Sequence, residues 1–66
     1  MSRYPVFYWA PAAVDAGFRP VEAAYAFEAE QIVQREHLGT VTASLSERLT
    51  KEEEIRRLFV AWLEKV

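Results

Sequence analysis

The 66-residue chain has no cysteine, two glycines, three prolines and one histidine, His37. Without cysteine it can form neither a disulfide nor a thiolate zinc site, the usual supports of so short a fold. The absence also suits a reducing compartment, and the expected location is the cytoplasm. Two glycines are too few for a phosphate-cradling loop, and no Gly-x-Ser-x-Gly elbow occurs. A metal-binding helix of the Glu-x-x-His kind needs its two ligands one turn apart. Here Glu36 and His37 are adjacent, about 100° apart around a helix, and Gln34 stands where the acid is needed. No catalytic residue, cofactor or metal is therefore expected, and the chain reads as non-enzymatic.

Long apolar runs are missing too. The stretch near the start is interrupted by Pro5 and Pro11 and falls short of the roughly 18 residues that suggest a membrane span. Neither a span nor a signal peptide is read there. Positive charge is also scarce. Eight Lys and Arg stand against ten Asp and Glu, for a net charge of −2. The adjacent pair Arg56-Arg57 follows the acids Glu52, Glu53 and Glu54. Phosphate backbones are held by clustered cations, so nucleic-acid binding is disfavoured.

What the chain does contain is apolar and aromatic: 52% hydrophobic and 14% aromatic, with YPVFYW at 4–9. A chain of this length suits one small domain over residues 1–66, whose core supplies only about 3–5 kcal/mol unless something reinforces it. Few positions can be fully interior, so part of this aromatic content is expected at a surface, with association as its purpose.

Several elements can be placed by local signals. Residues 1–10 read as an extended arm or edge strand, because Pro5 favours extended geometry before it and Val, Phe, Tyr and Trp favour strands. Pro11 suits a short helix over 11–16, closed by Gly17. Pro20 and Gly39 bracket a helix-forming segment, 20–38, with Val21, Ala24, Tyr25, Ala29, Ile32 and Val33 on one stripe and Phe27 off it. Glu28 lies beside that stripe, either reaching water or meeting an arginine. Residues 41–48 fit a short helix through Leu38, Val41, Leu45 and Leu49. Val41, Ala43 and Leu45 also alternate as in a strand, but the helical spacing extends further and the short helix is the favoured reading. Residues 51–65 form an amphipathic helix with the stripe Ile55, Leu58, Phe59, Trp62, Leu63 and Val66. Thr50 and Glu53 resemble a capping box at its start.

The favoured fold is mainly α: two long helices, one or two short ones and an aromatic N-terminal arm. The alternative is α+β, with strands near 4–9 and 40–46 paired to each other. The expected role is a protein–protein interaction module, self-associating as a homodimer or docking on a larger protein as an inhibitor, adaptor or assembly factor. Its contact residues would be Tyr4, Phe7, Tyr8, Trp9, Phe27 and Trp62, since aromatic anchors dominate such interfaces. A small DNA-binding or antitoxin-like regulator is the alternative. A helix-turn-helix with its turn at Gly39 would serve that role, although the candidate recognition helix TASLSERL carries a single arginine, Arg48.

Overall fold

The structure is a computed structural model and describes residues 1–66. Three strands and two helices follow one another: β1 (Ser2–Ala10), β2 (Asp15–Ala23), α1 (Ala26–Glu36), β3 (Val41–Ser44) and α2 (Glu52–Lys65), with a single 3-10 turn at Pro11–Ala13 after β1. The sheet has the order β2-β1-β3 and is antiparallel throughout. This corrects the mainly α reading. The α+β alternative is the one adopted, and the aromatic segment is the central strand rather than an arm.

Three corrections follow at the level of elements. The proposed short helix over 11–16 is only the 3-10 turn Pro11–Ala13, and Asp15, Ala16 and Gly17 belong to β2. The proposed helix over 20–38 is a helix only from Ala26, because Asp15–Ala23 pairs along its whole length with β1. Good helix formers in that segment are overridden by cross-strand partners: Phe18 stands opposite Phe7, and Val21 opposite Tyr4. The segment proposed for a recognition helix is β3 followed by a turn, in which Leu49 N–H donates to the Ser46 carbonyl at 3.0 Å. With no helix there, the helix-turn-helix arrangement is absent.

Alternation along β1 sends its side chains to two faces. Val6, with Tyr4 and Tyr8 beside it, meets Val21 and Ala23 of β2 and Ala29, Val33 and Ile32 of α1. The small residues let α1 approach closely. Phe7 points the other way, toward Phe18 of β2 and Phe59 and Trp62 of α2, at centroid distances of 6.2, 5.3 and 5.5 Å. Each such aromatic pair contributes roughly 0.5–1.5 kcal/mol beyond its buried area. The sheet is thus covered on both faces, by α1 over small aliphatic side chains and by α2 over aromatic rings.

The ends of the helices differ from the sequence reading. The first turn of α2 begins at Glu52 with Lys51 before it, and no side chain caps it. The Thr50–Glu53 capping box therefore does not form, since it would start the helix one residue earlier. Three glutamates remain to complement the dipole. At α1, Glu28 Oε1 accepts the backbone N–H of Ala24 at 3.1 Å, so its partner is a main-chain donor rather than an arginine. His37, at the C-terminal end of α1, stacks on Tyr8 with centroids 5.2 Å apart.

Candidate interaction surface

The pairing register decides which backbone groups reach the edges of the sheet. Pro5 and Pro20 stand directly opposite each other. Neither has an N–H, so this position cannot be a hydrogen-bonded pair, and the bonded pairs are its neighbours, Tyr4 with Val21 and Val6 with Arg19. Alternate residues of β2, Ala16, Phe18, Pro20 and Glu22, therefore turn their main-chain groups outward. The proline at the centre of that edge offers no donor, which blunts it against further pairing.

The opposite edge differs. Odd-numbered residues of β1 point their main-chain groups toward β3, where Phe7 faces Ala43 and Trp9 faces Val41. The Pro5 carbonyl accepts the N–H of Leu45 at 2.9 Å, but Pro5 can return no donor, and the ladder ends there. Val41 and Ala43 thus bond inward, while Thr42 and Ser44 direct their N–H and C=O groups away from the sheet. No loop or turn bonds to these groups.

The side chains of the same two residues are fully engaged. Thr42 Oγ1 accepts from Gln34 Nε2 at 2.7 Å and donates to Glu30 Oε1 at 3.1 Å; Ser44 Oγ donates to Glu30 Oε2 at 2.8 Å. These bonds tie α1 to β3, with a half-buried carboxylate satisfied by two hydroxyls. They anchor the short strand to α1 through its side chains and leave the main-chain groups of its outer edge free.

Apolar side chains surround that edge. Only nine of the 66 residues are buried, so several large apolar residues must stay exposed. Phe27 is 63% exposed and Leu38 90%, near the two ends of α1. Phe27 and Gln34 lie on the flank of α1 that faces β3, as the Gln34–Thr42 bond requires. On the other face of the sheet, Val41 and Leu58 are each 42% exposed.

The six residues expected at an interface are divided by the fold. Phe7 is buried at 2% exposure and belongs to the chain's own interior, where it meets Trp62. Trp62, Tyr4, Tyr8 and Trp9 are half-buried, with Tyr4 and Tyr8 against the α1-side core. Phe27 alone stands well clear of the surface, apart from the others. Leu38, Val41 and Leu58, together with the outward groups of Thr42 and Ser44, were missed by sequence reasoning. The alternation of Val41, Ala43 and Leu45 was the signal that could have located the edge.

A cleft of about 500 Å³ lies between the start of α2 and the sheet, with Pro5, Phe18, Pro20 and Ile55 in its lining. It holds Arg3 and Arg19 as well as Glu47 and Glu52, so it favours a ligand of neither sign. No three acidic or histidine side chains gather as a metal site. No helix is long and apolar enough to cross a membrane.

Comparisons with protein-family models, with curated proteins and with solved structures find no match for this chain.

Proposed function

We propose that this chain is a non-enzymatic protein–protein interaction module of the cytoplasm, which self-associates or docks on a larger protein. The observation that carries the reading is an unpaired β3 edge in a fold that leaves Phe27, Leu38, Val41 and Leu58 exposed. Apolar side chains on both sides of free main-chain donors and acceptors suit a partner that adds a strand and buries side chains beside it. Net charge of −2 and dispersed arginines support a protein partner over nucleic acid.

The test is photo-crosslinking from benzoylphenylalanine at position 27 in cells that express the chain. A discrete crosslinked protein, either the chain itself or another, is expected, and its yield should fall when Leu38→Glu is added. Diffuse labelling that ignores Leu38→Glu would overturn the reading.

A further inference from the structure

We propose that the partner at the β3 edge is a second copy of this chain, with β3 paired antiparallel to β3 about a two-fold axis at Ala43. The proposal rests on the interaction-module reading and names the occupant of that surface. Two three-stranded sheets would become one sheet of six strands, in the order β2-β1-β3-β3-β1-β2.

The edge is self-complementary. Its outward groups belong to Thr42 and Ser44, two residues apart with Ala43 between them. A two-fold axis through Ala43 sets Thr42 opposite the partner's Ser44 and Ser44 opposite the partner's Thr42. Both positions are then hydrogen-bonded pairs, and every outward group of the edge is satisfied. At the axis itself two alanines meet, small enough to let the strands reach normal spacing. On the α2 side of the sheet, Val41 falls opposite the partner's Leu45.

The same axis serves the helix layer. Gln34 lies over Thr42, and Glu30 over Thr42 and Ser44, so the level of Ala43 corresponds to the middle of α1, near Ile32. Two copies of α1 therefore run antiparallel across the axis. Phe27 and Leu38 lie on opposite sides of this midpoint, so each Phe27 reaches the level of the partner's Leu38. Three strand spacings, roughly 14 Å, separate the two β1 strands, and the exposed Phe27 and Leu38 are the large side chains available to enter the space between the helices. The axis chosen by the hydrogen bonds thus covers the exposed Phe27 and Leu38. The other edge offers no equivalent, since Pro20 interrupts it. One opposing term exists: two Glu30 carboxylates approach each other at the axis, each held by its own hydroxyls.

The absence of cysteine makes the test direct. In Ala43→Cys the lone thiol can form a protein disulfide only with another molecule. Residues opposed at a non-hydrogen-bonded position lie about 4.5 Å apart at Cα, within disulfide span. With oxidised glutathione as oxidant, Ala43→Cys is expected to form a covalent dimer at least tenfold faster than Val14→Cys, whose site is 89% exposed and on the hairpin turn. Sedimentation of the unmodified chain should show a dimer. Leu38→Glu, at a fully accessible site, should raise its Kd by about tenfold or more. Added salt should tighten the dimer by screening the Glu30 pair, opposite to a phosphate-binding protein. A dimer whose Ala43→Cys form crosslinks no faster than Val14→Cys would overturn this interface while leaving self-association standing. A monomer at every concentration would overturn the inference alone, and the crosslinking from position 27 would then decide the broader reading.

Discussion

Pro5 and Pro20 face each other across β1 and β2, and this one pair sets the phase of the whole sheet. A slip of one residue would point a proline into the ladder on either strand, losing a hydrogen bond and reversing the faces of Phe7 and Val6. The pair acts at both edges at once. Pro20 denies a donor to the outer side of β2, and Pro5 stops the β1–β3 ladder at Leu45.

Replacing Pro20 with valine restores the missing donor at a position where its side chain is exposed. We expect the variant to fold, with stability within about 1 kcal/mol of the parent. It should form species larger than a dimer as concentration rises, because both edges would then be open. Sedimentation velocity across a concentration series reads this. An association profile unchanged from the parent would show that Pro20 does not guard the edge.

Gly17 stands opposite Tyr8, and a Cβ there would lie 2.7 Å from Tyr8 Oη and 3.0 Å from Cζ. The ring must move, and its stack on His37 is disturbed. Gly17→Ala should destabilise by about 1–2 kcal/mol in denaturant unfolding. In the Tyr8→Ala background the same change should cost far less, a non-additivity that isolates the contact.

Val14 closes the β1–β2 turn at φ 49°, a left-handed conformation that β-branched residues resist, and it is exposed. The strain is of order 1–2 kcal/mol. Val14→Asn keeps the turn with a residue that tolerates it, and the melting temperature should rise. A fall would show that Val14 makes a stabilising contact.

Arg19 donates to Glu36, and this hydrogen bond is the main reason the Glu36 carboxyl is held below its ordinary range; partial loss of water opposes it, and the Arg19 and His37 charges add smaller lowering effects. A carboxyl whose folded pKa is depressed contributes stability above its unfolded pKa. That contribution is lost as pH falls through the folded value. Stability should therefore decline on acidification below the ordinary carboxylate range, and Arg19→Gln should flatten that limb. Urea midpoints between pH 7 and pH 2 measure it.

Much of the layout was legible in the residues. The stripe of Ile55, Phe59 and Trp62 defined α2, and the less favoured strand reading of Val41, Ala43 and Leu45 is the one that pairs with YPVFYW. The strand β2 was hidden because Asp15, Gly17 and Pro20 read locally as turn and helix-start signals. Its extended form comes from pairing with β1, a non-local cause that local propensity does not carry. Phe27 already stood off the helical stripe. The alternation of Val41, Ala43 and Leu45 hinted at the edge strand, but which of its backbone groups face outward depends on the register imposed by Pro5 and Pro20. Phe7 illustrates the remaining difficulty: an aromatic side chain suits interior and interface equally, and only the arrival of Phe59 and Trp62 above it decides.

The central strand is also the first one made. As the chain emerges during synthesis, β1 and β2 can close their hairpin at once, with only the short turn between them. Both of its faces, with Val6 on one and Phe7 on the other, then wait for coverage. The first helix follows shortly after, at Ala26, but α2 begins only at Glu52, so the aromatic face stays bare until that segment has emerged. Partly made chains held at that stage carry a ring-studded, sticky hairpin, and any pause between residues 45 and 60 prolongs its exposure to neighbouring chains and chaperones.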